Sequence, residues 1–239
     1  RALGPDVQVS VRAGAFTNRV LPELAGDRAR DPDSGEPGLR VEFRGADGAI
    51  VGTEVAATNP RISRAVLNVG GGTAVDIFTH SPTFQPLVEQ LIGGPGGLIP
   101  GFTFAKVDPS NPAFDPVIAA AYLRPSIVMK WILDPADPVN FAAHVATKLP
   151  SPLTAALGPL ATTTTAAWGM VANGDTVIPN PFNYELFGSG GIPFTLYVSA
   201  SAPGNAVPHG FLATTVSAQD DVAAFLSSLT NPGAQVVLP

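Results

Sequence analysis

The chain has 239 residues, of which 45% are apolar and only 13% are charged. This length suits one domain with a sizeable core, and the apolar content excludes a disordered chain. The net charge of −6 and the lack of a basic run argue against nucleic acid as a partner, and the absence of cysteine excludes disulfides, thiolate metal sites and a cysteine nucleophile.

The start of the chain bears on where the protein works. No uninterrupted apolar run reaches the roughly 20 residues of a membrane-spanning helix, so no transmembrane segment is expected. The chain begins Arg1-Ala-Leu, with neither a methionine nor a signal peptide. That start fits a processed or truncated product, and we expect an exported protein, secreted or otherwise extracytoplasmic.

The first third of the chain predicts a strand-helix-strand unit, which implies a parallel sheet. Alternation with β-branched and aromatic residues predicts one strand, and a nearly continuous apolar run predicts a second strand that is buried on both faces. In chain order we expect a short helix over residues 15–25, a turn-rich loop over 31–38, a strand over 39–43, a tight turn over 45–48, a helix over 49–58 and a strand over 62–69.

The middle of the chain, residues 82–150, changes to a helical pattern. Helices are expected over 84–92 and over 116–131, the latter interrupted near Pro125, and another begins at Asp137-Pro138, a good helix start. We interpret this region as a helical cap inserted between strands of the sheet. Its aromatic residues Phe102, Phe104 and Tyr122 are candidates for substrate contact, although core packing is the alternative for each.

The last third predicts two more strands, over 166–172 and 193–199, and a final helix over 217–229 with Ser217 as its N-cap. Asp175 directly follows the first of these strands, in Asn173-Gly-Asp175. His209 follows the second, in Pro208-His209-Gly210. Functional groups of open α/β sheets lie beyond the carboxyl ends of strands, so this acid and this imidazole are expected to meet there.

An acid followed by a histidine, each after its own strand, is the order in which an α/β-hydrolase supplies the last two members of its catalytic triad. The acid holds the imidazole in one tautomer and stabilises the imidazolium. For either residue alone an ordinary turn or surface role is the simpler interpretation. Their order and spacing together favour catalysis.

The nucleophile of such a triad belongs in a Gly-x-nucleophile-x-Gly turn between an upstream strand and helix. Here that turn reads Gly45-Ala46-Asp47-Gly48-Ala49 and contains no serine.

Several segments around this turn resemble those of the α/β-hydrolases known as bacterial extracellular or virulence-factor lipases, over about residues 38–230. The matching segments are Ile50-Val-Gly-Thr53, Val66-Leu-Asn-Val-Gly-Gly-Gly72, Ser81-Pro-Thr-Phe84, the Asp134–Asn140 stretch, and the segments of Asp175 and His209. The resemblance implies an α/β-hydrolase fold with a Ser-His-Asp triad and an ester, lipid or polyester substrate. It implies no metal and no organic cofactor.

Compared with the family's elbow motif, Gly45 and Ile50 are one residue too close, and the missing position is that of the nucleophile. Three interpretations remain open. A chemically modified serine between Ala46 and Asp47 is missing from the one-letter sequence; or Asp47 is itself the nucleophile, as in some hydrolases of this fold; or the nucleophile is absent and the protein is a binding module.

With a serine in place, the backbone N–H of Asp47 would supply one oxyanion-hole donor. The second donor normally comes from an earlier loop of the fold, yet only about 45 residues precede the elbow here. We therefore expect an incomplete hydrolase domain whose N-terminal half is a separate chain or segment. His80, near Asp76, is a conceivable metal or catalytic group, but a structural hydrogen bond is the preferred interpretation.

Overall fold

A seven-stranded sheet runs through the computed structural model, which describes residues 9–12, 19–20, 39–44 and 46–239. The strands are β1 Val9–Arg12, β2 Arg19–Val20, β3 Leu39–Arg44, β4 Ile62–Asn68, β5 Ala166–Ala172, β6 Phe194–Ser199 and β7 Gln235–Leu238. Their order across the sheet is β2-β1-β3-β4-β5-β6-β7. Every neighbouring pair is parallel except β1 with β2. The predicted α/β class with a mostly parallel sheet is confirmed.

Helices cover both faces of this sheet. They are α1 Ala46–Thr58, α2 Ala74–His80, α3 Gln85–Gly93, α4 Phe104–Val107, α5 Pro116–Leu133, α6 Val139–Ala142, α7 Pro152–Leu157, α8 Asn180–Gly190 and α9 Val216–Ser228. One core cluster joins α1, α6 and α8 to β4 and β5, and the other joins α9 to β4, β5, β6 and β7. Burial on both faces explains why β4 and β5 are apolar along nearly their whole length.

Small residues allow α1 to lie close on the sheet beside the predicted elbow. Ala49, Thr53 and Ala56 of α1 are fully buried. Beneath its first turn, a Cβ on Gly70 would stand 2.8 Å from the Cβ of Ala49, closer than side chains tolerate. The sequence therefore brings the start of α1 against the loop that follows β4.

The chain between β4 and β5 is helical and contains no strand, from α2 to α7. The predicted cap segment, 82–150, falls within it; whether it acts as a cap remains a prediction. By length and composition alone, the helical stretch Pro116–Ala142 of the described chain, which contains α5 and α6, could cross a membrane. Whether the protein has a transmembrane segment stays untested.

Four local predictions were wrong. Within residues 15–25, where a helix was expected, the structure has strand β2, which pairs with β1. The other residues of that range lie outside the described chain, and so does the loop expected over 31–38. The turn expected over 45–48 is already helical from Ala46. The last helix begins at Val216, after Thr215 rather than Ser217. Helix α5 continues through Pro125, because the carbonyl that the proline leaves without a partner, that of Ala121, lies on the exposed side of the helix.

Strand β7 was not predicted from the sequence. It adds a parallel edge strand beside β6, after the final helix α9. Only four residues long and partly exposed, it gives too short an apolar pattern to separate from a loop.

Lys148 closes the carboxyl end of α1. Its Nζ donates to the carbonyl oxygen of Ala56 at 2.5 Å, and the next backbone N–H, of Leu149, donates to Ala57. Burial lowers the pKa of the Lys148 ammonium to about 7, because desolvation disfavours the charged form. An unfolded lysine keeps its proton up to a pKa of about 10.4.

The free energy of unfolding should therefore depend on pH through Lys148. Between about pH 7 and about pH 10 the unfolded chain binds a proton that the folded chain has released, so stability rises with pH in this window. Lys148→Met should remove that part of the rise. Urea denaturation at several pH values tests this, with Lys106→Met as the control. Parallel profiles for wild type and Lys148→Met would contradict the assignment.

Candidate active site

The predicted catalytic elements leave the sheet at one edge. Parallel strands β3, β4, β5 and β6 are adjacent and end on the same side. The predicted elbow follows β3, Asp175 follows β5, and His209 follows β6. The acid is thus two strands from the elbow and one strand from the histidine.

Asp175 and His209 are in direct contact. The Nδ1 atom of His209 lies 2.6 Å from Oδ2 of Asp175. The Asp175 side chain is completely buried, and the imidazole is 21% exposed. The other carboxylate oxygen, Oδ1, accepts the backbone N–H groups of Val177 at 2.8 Å and Ile178 at 3.1 Å.

These contacts determine which imidazole nitrogen carries the proton. A carboxylate that accepts two backbone N–H groups acts as an acceptor toward the ring as well, so Nδ1 of His209 is the donor. In the neutral ring Nε2 then holds the lone pair. Here a buried carboxylate holds a partly exposed imidazole by Nδ1 and leaves the unprotonated Nε2 without a bond to the acid. A general base has this arrangement.

The Asn173-Gly174 turn connects the loops of the acid and the histidine. Gly174 has φ +66°, a left-handed conformation that favours glycine, and a Cβ there would lie 3.2 Å from the Cβ of Ala206. The Asn173 side-chain amide donates to the carbonyls of Gly204 and Asn205, and its own backbone carbonyl accepts the backbone N–H of Val207.

Asn180 braces the other side of the same turn. Its side-chain oxygen accepts the N–H of Gly174 at 2.9 Å, and its amide donates to the carbonyl of Ala172 at 2.7 Å. This residue begins α8, directly after the acid's loop. Sequence reasoning did not find it, although an asparagine just after a turn is a usual source of such bonds.

A strand and a helix flank the predicted elbow. Strand β3 ends at Arg44 and α1 begins at Ala46, which leaves Gly45 alone between strand and helix. Gly48 is buried in the first turn of α1. Gly45 itself and the side chain of Asp47 lie outside the described structure, so the predicted role of Asp47 stays a prediction.

The helical segment between β4 and β5 is attached to the acid's loop. The hydroxyl of Ser81 donates to the carbonyl of Thr176 at 2.9 Å, and the backbone N–H of Thr83 donates to the same oxygen at 3.1 Å. Thr176 directly follows Asp175. The Ser81-Pro-Thr-Phe84 segment therefore links the end of α2 to the acid.

A cleft of about 720 Å³ lies between α2, α3, α4 and α5. Two of the predicted contact residues, Phe104 and Tyr122, line it, whereas Phe102 is 2% exposed and packs behind them in an apolar cluster. Burial and the nearby charge of Asp76 raise the pKa of Tyr122. Neither Asp175 nor His209 lines this cleft, so the aromatic residues are not brought to the pair.

The other singled-out polar residues have structural partners. Nδ1 of His80 lies 2.9 Å from the carbonyl oxygen of Asp76, in agreement with the preferred structural interpretation. Asp137 accepts the backbone N–H groups of Thr73 and Ala74 at the start of α2, and that of Val139 at the start of α6. Among the described residues, no group of three or more metal-ligating side chains is present.

No protein-family model and no curated protein matches the sequence. Solved structures with a similar fold include Pyrococcus horikoshii acylaminoacyl peptidase (10% identity, TM-score 0.41, 81% of this chain and 22% of that chain). They also include the Pyrococcus furiosus esterase Pf2001 (9%, 0.40, 79% and 51%) and a Mycobacterium tuberculosis puromycin-hydrolyzing peptidase (13%, 0.43, 88% and 24%). Similarity at this level does not indicate a shared activity or substrate.

The predicted α/β-hydrolase fold is confirmed by the strand order and by the parallel sheet with helices on both faces. The chain spans between 22% and 51% of the length of those three structures. The narrower resemblance to bacterial extracellular lipases remains a prediction.

Gly174→Ala tests the construction of the acid's loop. A Cβ in the left-handed conformation, pressed against Ala206, should lower the free energy of unfolding by about 1–2 kcal/mol. Gly188→Ala is the control, because Gly188 lies in α8, a Cβ there would meet nothing within 4 Å, and alanine favours a helix. Urea denaturation should show loss for the first and none for the second; equal effects would contradict the account.

Proposed function

We propose that the protein is a carboxylic ester hydrolase with a Ser-His-Asp triad. The observation that carries this proposal is the 2.6 Å contact between His209 and the buried Asp175. The pair lies on the same side of the sheet as the junction between β3 and α1. The nucleophile would be a serine between Ala46 and Asp47, chemically modified and so missing from the one-letter sequence.

The proposed reaction requires the serine in its free form, after the attached group has left. Its Oγ then attacks the ester carbonyl while Nε2 of His209 takes the hydroxyl proton. Asp175 stabilises the imidazolium through Nδ1. The proton then passes to the leaving alcohol, and an acyl-enzyme remains. A water molecule, activated by the same Nε2, attacks the acyl group and releases the acid and the free serine.

The start of α1 supports a role for backbone N–H groups in stabilising the oxyanion of the transition state. The backbone N–H of Asp47 would follow the nucleophile in the first turn of the helix, where unpaired N–H groups and the helix dipole favour negative charge. One such donor stabilises the transition state by about 3 kcal/mol. A second donor would come from the proposed N-terminal half of the fold, supplied by another chain or segment.

An apolar acyl ester, a lipid or an aliphatic polyester is the proposed substrate. Support comes from the apolar residues of the helical segment between β4 and β5, which is attached to the acid's loop through Ser81 and Thr83. No metal or organic cofactor enters the proposed reaction. A secreted or extracytoplasmic location fits such substrates and remains a proposal.

Hydrolysis of a soluble p-nitrophenyl ester tests the pair directly. His209→Ala should lower kcat/KM by at least about 10³-fold, because the general base is gone. Asp175→Asn should cause a loss of about 10⁴-fold, because an amide facing Nδ1 selects the other tautomer.

His144→Ala and Asp220→Asn are matched controls that should retain full activity, since both lie outside the proposed site. Circular dichroism of each variant separates loss of activity from loss of fold. Undiminished turnover by folded His209→Ala would rule out the proposed triad.

The nucleophile is tested by intact mass and by Asp47→Asn. The purified chain should exceed the mass of the printed sequence by a serine residue and its attached group, with the excess in the peptide that spans Ala46 and Asp47. Asp47→Asn should then reduce kcat/KM only modestly. A mass equal to that of the printed sequence, with complete loss in Asp47→Asn, would instead identify Asp47 as the nucleophile. An unmodified chain without esterase activity would indicate a binding module.

A further inference from the structure

Helix α5 has an outward face that is almost entirely apolar. Of its 18 residues none is buried. Apart from Leu133 at the helix end, the exposed positions fall within one continuous arc of the helix. The large apolar members of this arc are Val117, Leu123, Ile127, Val128, Trp131 and Ile132. Trp131, near the centre of the arc, is 78% exposed. A tryptophan exposed to this extent, with apolar neighbours on both sides, marks an interaction surface.

The opposite face of α5 attaches the helix to the rest of the protein. Ile118 and Tyr122 pack in the cluster that contains Phe102. Beside this face, Nζ of Lys130 pairs with the carboxylate of Asp76 on α2 at 2.7 Å. The helix is therefore held along one side, and its apolar arc is free in the described structure.

The charge of this helix differs from that of the whole chain. The net charge of the protein is −6, yet α5 contains no acidic residue and has two basic ones, Arg124 and Lys130. Arg124 is exposed near the middle of the apolar arc. An arginine in this position extends its guanidinium to phosphate groups while its stem stays among apolar side chains.

We propose that the outward face of α5 docks on the surface of a phospholipid bilayer. Its apolar side chains would enter the boundary between headgroups and acyl chains, with Trp131 at headgroup depth and Arg124 on lipid phosphates. The helix lies on the membrane and does not cross it, because its other side is attached through Tyr122 and through the Lys130–Asp76 pair.

This docking would bring lipid esters to the proposed active site. Helix α5 is paired with α2, whose following residues Ser81 and Thr83 bond to the carbonyl beside Asp175. The inference thus deepens the proposed function, although membrane binding itself does not require the Asp175–His209 pair. The two can therefore fail separately.

Binding is measured with the His209→Ala protein, which cannot consume the lipid under the proposed function, and with vesicles of phosphatidylcholine and phosphatidylglycerol. The protein should sediment with the vesicles. Trp131 emission should shift to shorter wavelength and become protected from acrylamide. Trp168, the other tryptophan, is fully buried and should not respond.

Two pairs of substitutions test whether vesicle binding depends on the outward face of α5 or on exposed apolar residues in general. Ile127→Glu with Ile132→Glu should weaken vesicle binding by more than about tenfold, because carboxylates would enter an apolar layer. Val216→Glu with Val237→Glu alters two equally exposed apolar residues outside α5 and should have no effect. Arg124→Gln should weaken binding about fivefold.

Any of four results would overturn the proposal: no sedimentation, equal loss in both pairs, retention on the vesicles after an alkaline carbonate wash, or a lipid-free dimer in which Trp131 is shielded. The third would indicate a membrane-spanning helix, and the fourth would assign the face to a second copy of the chain. Hydrolysis of a soluble ester by the wild-type protein without vesicles reports separately on the proposed function.

Discussion

The contact between the His209 imidazole and the Asp175 carboxylate is the interaction on which the functional account depends. Its geometry follows from backbone constraints on both sides of the pair. The carboxylate is held by the N–H groups of Val177 and Ile178, and the two loops are joined by the side chain of Asn173. The acid is fully buried, so its carboxylate needs hydrogen-bond donors from the protein itself. These donors are already in place without a bound substrate.

The helical segment between β4 and β5 combines two surfaces of opposite character. Its inner cleft is lined by polar and aromatic groups, including Glu89 and Tyr122, whereas the outer side of α5 is apolar. Asp137 ties the segment together by bonding to the start of α2, and Ser81 attaches the segment to the acid's loop. A segment attached in this way keeps a fixed relation to the acid while it presents a large apolar surface.

Periodicity in the sequence was sufficient to predict β3, β4, β5 and β6. Alternation of apolar and polar residues marks β3, and nearly continuous apolar runs mark the buried strands β4 and β5. The same reasoning found Asp175 and His209, because each follows such a strand. It could not find β1, which pairs with β3 about 30 residues later, or β2, which is only two residues long. It also placed the start of α1 too late. Phe102 was misplaced because aromatic composition does not distinguish a side chain that lines a cleft from one packed behind it.

The protonation of the His209 ring is the most direct test of the central claim. Long-range ¹H–¹⁵N correlation spectra of the neutral ring distinguish the two tautomers by which nitrogen carries the proton. The account predicts a proton on Nδ1 and none on Nε2 in the wild-type protein, with the opposite tautomer in Asp175→Asn. A proton on Nε2 in the wild type, or a spectrum unchanged by Asp175→Asn, would contradict it.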